Sequence, residues 1–317
     1  MTYQSTLISD DPITLPKLPA WVTTGRAETL ETVAFRSGAA LTVLDTLVSD
    51  PNHGVPVKLL ANRLALTAAT ATSKLEGRLA READIRDAYH LTPPGEARGP
   101  DGDLLAFWRD AGRFRANGTG EIFDLAGAGF AGEVGAGLKA GQDQARTYGP
   151  LAGCVAVLRS VLDADDRAER AACLLSDIDL ARVLNWKMVL PVTAQRLTKA
   201  TLRNLNGEGQ GAELAVQVRI LESIESTIRL ARDLARRAET LRSIAPRLRA
   251  KGSDAAVDLF LAEDAVAPST MLSPMIQGTN FPMTDRAARR FCDRLVELGV
   301  ARELTGRPTF RLYGIAS

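Results

Sequence analysis

Histidine is nearly missing from this chain, with two among 317 residues, and three cysteines and 5% aromatics are scarcely more. Those scarcities exclude most catalytic chemistry. A serine triad or a general-base site would have to be built on His53 or His90. The first lies in the Asp50-Pro51-Asn52 turn and the second at a helix end before a loop, where a surface or capping role is the ordinary use. Zinc is excluded on similar grounds: the two histidines are far apart, and Cys154, Cys173 and Cys292 lack any C-x-x-C spacing. Each cysteine stands among aliphatic residues, which predicts buried, unreactive thiols in a reduced, cytoplasmic chain. Asp163, Asp165 and Asp166 cluster near a helix start, where they serve cap and dipole without paired-carboxylate chemistry. No metal, no cofactor and no enzymatic activity are expected.

An excess of either charge is lacking too. Lysine and arginine number 39 against 38 acids, a net charge of +1, so any affinity for nucleic acid has to come from a local patch. Long apolar runs are absent, and residues 1–19 carry no basic region followed by an apolar core. Neither a membrane span nor a signal peptide is therefore expected. With 45% hydrophobic residues but few aromatics, the core must be built from alanine and leucine. Both are strong helix formers, and an all-α protein is expected.

Prolines at 12, 16 and 19 predict an extended arm around Trp21 over residues 1–25. Residues 26–251 read as a multi-helix domain, with helices over 27–48, 55–76, 82–90, 103–113, 151–162, 166–175 and 178–186. From Gly118 to Gly153 glycine is so frequent that helices there should be short or tightly packed. No Gly-Lys-Ser/Thr follows that run, so a nucleotide loop is not supported. The longest pattern covers 211–244, where Leu214, Val218, Leu221, Ile228, Ala231, Leu234, Ala238 and Leu241 recur at threes and fours. It serves either as a spine of the bundle or as the coiled-coil seam of a homodimer. Arg229, Arg232, Arg236, Arg237 and Arg242 occupy its other face, and with its exit at 247–251 they form one basic region.

The last residues form the other. Ala288, Phe291, Leu295 and Leu298 share one face of a helix over 284–298, with Thr284 as N-cap and Gly299 just past its end. Residues 299–315 read as a short hairpin with a Thr-Gly-Arg-Pro tip. Helix then wing is a winged helix-turn-helix, assigned to 252–317 with its boundary at Gly252-Ser253. Arg286, Arg289, Arg290 and Arg294 are the candidate DNA-binding residues of the helix, and Arg307 and Arg311 those of the wing. Double-stranded DNA is the expected partner. The alternative is a docking module of a larger chromosome or plasmid assembly.

Two resemblances add to this reading. Asn62-Arg63-Leu64-Ala65-Leu66, Ala83-Asp84-Ile85-Arg86-Asp87-Ala88-Tyr89-His90-Leu91 with Pro93-Pro94-Gly95, and the closing run from Arg286 through Gly314 resemble the bacterial domain-of-unknown-function family 1403. That resemblance covers nearly the whole chain and implies no established activity. Thr72-Ser73-Lys74-Leu75-Glu76-Gly77 is similar to the inhibitory Ser/Thr-x-x-x-Glu-Gly helix of Fic-domain adenylyltransferases, several of which end in a winged helix. Their histidine-proline-phenylalanine motif and Gly-Asn-Gly-Arg anion hole are missing, so the likeness implies no nucleotide transfer.

Overall fold

A computed structural model of the chain describes residues 14–93, 95–113, 131–205, 209–248, 251–307 and 309–316, with residues 131–133 as backbone only. The described residues are mostly helical, with one two-stranded sheet. Helices α1 (Ala20–Thr23), α2 (Leu30–Ser49), α3 (Val57–Leu75), α4 (Glu82–His90) and α5 (Gly99–Ala111) come first. Then follow α6 (Ala131–Tyr148), α7 (Pro150–Ala164), α8 (Glu169–Val183), α9 (Lys199–Leu205), α10 (Gln210–Ile244), α11 (Ser253–Phe260) and α12 (Asp285–Glu297). Strands β1 (Ala301–Glu303) and β2 (Tyr313–Ile315) close the chain.

Three helices stop by the same device. Gly77, Asn185 and Gly299 take left-handed backbone after α3, α8 and α12, and the next amide reaches back a full turn: Arg78 to Ser73, Trp186 to Ala181, Val300 to Leu295. This satisfies carbonyls the helix end would otherwise leave open, and it needs glycine or asparagine at the turning residue. Glycine at 77 and 299 made two of these ends readable in sequence.

The 35-residue α10 is the spine of the bundle, packed along α2 and touching α3, α7 and α9. Val216, Ile220, Leu221, Ile224, Ile228, Leu234 and Leu241 are buried. Its apolar face is thus covered within the chain, which corrects the reading of this helix as a dimer seam. Arg36 fixes α2 to it through both carboxylate oxygens of Glu225, at 2.5 and 2.9 Å.

Elsewhere the structure departs from expectation for visible reasons. The arm is not extended throughout: residues 20–23 form one helical turn, on which Trp21 stays 70% exposed against the Phe35 ring. The helices expected over 166–175 and 178–186 are the single α8, because Ser176 and Asp177 are buried within it rather than breaking it. Asp177 accepts from the amides of Val192 and Thr193 at 3.0 and 2.8 Å. The glycine-rich stretch yields the long α6, tightly packed: a Cβ on Gly141 would come within 2.5 Å of Val157 and one on Gly153 within 2.9 Å of Ala145. Residues 118–130 of that stretch lie outside the described residues, as do residues 1–13 of the arm.

After α11, Val266 pairs with Tyr313 of β2 through amide bonds of 2.7 and 2.9 Å. A π-helical turn, Pro268–Leu272, and an irregular stretch lead to α12. Then β1 and β2 pair antiparallel, Ala301 with Ile315 and Glu303 with Tyr313. Phe291 and Leu295 are buried, Phe291 against Phe260 of α11 at a ring distance of 6.2 Å. This C-terminal segment is fastened to the bundle. Arg63 donates to the Ile315 carbonyl at 2.9 Å, Arg86 to that of Leu304 at 3.0 Å, and Asn62 to that of Ala262 at 2.7 Å. Buried Arg109 pairs with Glu263 and Asp264, and His90 lies 3.3 Å from Asp264.

Candidate functional site

The best-defined surface feature starts from the spacing of α12. Thr284 caps the helix, its hydroxyl accepting from the Ala287 amide at 3.3 Å. Ala288, Phe291, Cys292 and Leu295 bury one side. What remains outside divides by helix geometry into two flanks. Arg286, Arg290 and Arg294 are four residues apart and stack along one flank. Asp285, Arg289 and Asp293 do the same along the other.

The two flanks differ in charge state. On the second, Arg289 is neutralised by Asp285 at 2.9 Å, and Asp293 accepts from the Tyr313 hydroxyl at 3.3 Å. On the first, only Arg294 has an acid, Glu297 at 3.0 Å. Arg286 and Arg290 make no ion pair among the described residues.

A groove of about 580 Å³ runs beside this basic flank, and Arg247 lines it together with Arg286, Arg290 and Arg294. Leu248, Ala287 and Phe291 supply its apolar floor. Arg247 arrives on the 3-10 turn Ala245–Arg247, where Pro246 ends α10. The exit of the long helix and the C-terminal helix therefore share one surface, with four guanidiniums and, among the described residues, no carboxylate lining it. Such a surface can hold a row of phosphate or carboxylate oxygens through charge-assisted hydrogen bonds.

Of the six arginines chosen in sequence, Arg286, Arg290 and Arg294 lie together and Arg289 lies across the helix from them. Arg307 and Arg311 sit on the loop between β1 and β2. Arg307 turns to α4 and meets Asp87 at 3.6 Å. Arg311 is exposed; hydrogen bonding to Tyr313 holds its pKa above the ordinary value, and its Nε donates to the Arg307 carbonyl at 3.3 Å. The Thr305-Gly306 tip is held by Glu303, whose carboxylate accepts from both amides at 2.8 Å. Burial works against that carboxylate, but these hydrogen bonds keep its pKa below the usual range.

Arg247 is the member that sequence reading separated from the rest, since nothing in its neighbourhood signals that the chain folds back to α12. Four of the five arginines named on that face of α10 are locally occupied: Arg236 and Arg237 on Asp233 at 3.7 and 2.6 Å, Arg229 on Ser226 at 2.9 Å, Arg242 on the Gly54 carbonyl at 3.3 Å, while the buried Nε of Arg232 has no hydrogen-bond partner among the described residues. His90 is no surface cap but is buried against Asp264, a pairing across 174 residues that local pattern cannot reveal. The three cysteines are buried and free, and burial pushes each thiol pKa up. Glu76 closes α3, and its carboxylate bridges Arg78 at 3.4 Å and Arg170 at 2.5 Å, a structural role.

No helix among the described residues is long and apolar enough to cross a membrane. Over residues 6–315 the chain matches the family described as "protein of unknown function (DUF1403)", and it belongs to that family. No curated protein matches it.

Proposed function

We propose that this DUF1403 protein binds double-stranded DNA, with α12 and the groove beside it as the contact surface, and that it acts by binding rather than by catalysis. The observation that carries the reading is the convergence of Arg247, Arg286, Arg290 and Arg294 on one groove in a chain of net charge +1. Phosphate contacts supply most sequence-independent DNA affinity, and a local arginine cluster is what a nearly neutral protein needs to make them.

The order of elements supports a winged helix-turn-helix over 252–317, of the kind that ends several Fic-type proteins. The segment runs α11, the Val266 bridge to β2, the turn at Pro268–Leu272, α12, then the β1–β2 hairpin. In such an arrangement the helix before the hairpin enters the major groove and the hairpin flanks it. With Arg307 held by Asp87, exposed Arg302 and Arg311 are the hairpin cations left for flanking phosphates. Two copies on successive half-sites would give specificity. A homodimer would need a surface other than α10.

A second reading rests on Met275 and Phe281, which are 47% and 50% exposed just before α12. Apolar side chains at that place suit a docking module in a chromosome or plasmid assembly. Fluorescence anisotropy of a labelled random duplex separates the two. Arg290→Glu should weaken binding by more than about tenfold under the DNA reading, whereas equal binding by both proteins would overturn it.

A further inference from the structure

A larger cavity lies elsewhere, and the geometry points to a function for it: we propose that the space bounded by Trp108, Trp186, Lys58 and Lys187 binds a small aromatic anion, a carboxylate or phosphate ester. The cavity is about 910 Å³ and sits where α3, α5 and the residues after α8 meet Ala262 and Glu263 of the C-terminal segment. Small-molecule sites of this size favour such junctions between substructures. The inference does not depend on DNA binding.

The wall chemistry names the ligand class. Trp108 and Trp186 both line the cavity, yet their indole N–H groups are already engaged, on Thr72 Oγ1 at 3.0 Å and Asp45 at 2.8 Å. What this wall can offer a ligand is carbon surface from the edge of Trp186, 6% exposed, and from half-buried Val48 and Met188, Trp108 itself being fully buried, and such surface suits an aromatic or otherwise apolar body. Trp186 reaches the cavity because Asn185 takes the left-handed turn that ends α8.

The charges are unequal. Among the described residues Glu263 is the one acid lining the cavity, and it is paired with Arg109. Arg113 is paired with Asp110 at 3.0 Å. Lys58 and Lys187 are exposed at the lining and have no ion pair among the described residues. In addition, the buried Nε of Arg109, a lining residue, has no hydrogen-bond partner among the described residues. Two open ammonium groups and a spare buried donor around carbon walls call for an anionic head on an apolar body.

The same cavity touches the joint that fixes the C-terminal segment. Asn62 lines it while donating to the Ala262 carbonyl at 2.7 Å, and the chain continues from there to the Val266–Tyr313 pairing.

Isothermal titration calorimetry of the full chain with salicylate and with phenyl phosphate tests this, using neutral salicylamide as control. At least one anion should bind with a Kd below about 1 mM. Lys58→Ala/Lys187→Ala should weaken it about tenfold or more, and Trp186→Phe should weaken it with unchanged helicity. Arg290→Glu, in the separate groove, should leave it unaltered. Absence of binding by both anions, equal binding of salicylamide, undiminished binding by the lysine variant, or loss on Arg290→Glu would each overturn the proposal.

Discussion

Asp285 holds Arg289 in an ion pair at 2.9 Å across one turn of α12, and that pair sets Arg289 apart from Arg290, its neighbour in sequence. Successive helix residues point about 100° apart. Arg290 therefore lines the groove with Arg247 while Arg289 is satisfied on the opposite flank. The two residues should behave differently on replacement. Arg290→Ala should weaken duplex DNA binding by about 1–3 kcal/mol, and Arg289→Ala by less than about 0.5 kcal/mol, the ordinary value of an exposed pair. Anisotropy titrations of both variants check this, and equal losses would contradict the division of the helix into two flanks.

Phe291 underlies the same helix, buried against Phe260. Truncation to alanine should destabilise the protein by about 3–5 kcal/mol through lost burial and a cavity. Urea denaturation gives the value directly. A loss under about 1 kcal/mol would mean that the side chain is not packed as described.

Asp179 is buried where α6, α7 and α8 meet, and neither of its carboxylate oxygens has a hydrogen bond among the described residues. Burial pushes its pKa up to about 6, with Arg182 pulling the other way. A carboxyl whose folded-state pKa is raised binds its proton better when folded, so stability falls as pH rises from about 4 to about 6 and stays lowered above that. Asp179→Asn should therefore gain about 1–3 kcal/mol near pH 8 and almost nothing near pH 4. An equal gain at both pH values would refute ionisation as its cause.

Asp264 shows the opposite sign. Burial alone would raise its pKa, but His90, Arg109 and Arg63 bring it down to about 2. A depressed carboxyl stabilises the fold above its unfolded value near 4, and this contribution is lost as pH falls from about 4 to about 2. Asp264→Asn leaves Arg109 undercompensated in a buried site and should cost about 3–5 kcal/mol. Hydrogen exchange should rise across residues 262–316, which depend on this network for their hold on the bundle. Unchanged exchange there would remove the network from that role.

The parts of this account that were legible in sequence are those fixed locally. The period of α12, its Thr284 cap, the Gly299 stop and the ranges of α4 and α10 all follow from near-neighbour chemistry. Positions decided by distant contacts were not legible. Ser176 and Asp177 look like a break in α8 until Thr193 and Val192 are seen to satisfy Asp177. The apolar stripe of α10 fits a dimer seam as well as a spine, and only its packing on α2 decides. The six arginines read as one candidate set, because nothing local distinguishes Arg290 from Arg289 or announces Arg247 as their companion.

Salt dependence of binding to random duplex DNA tests the central claim most directly. Three or four phosphate contacts from the groove predict that log K falls linearly with log salt, with a slope of about −3 to −4. Replacing Arg247 and Arg290 together by alanine should reduce that slope by about 2, since each lost phosphate contact removes about one unit. No detectable binding at low salt, or a slope unchanged in the double variant, would contradict the groove as a DNA-contacting surface.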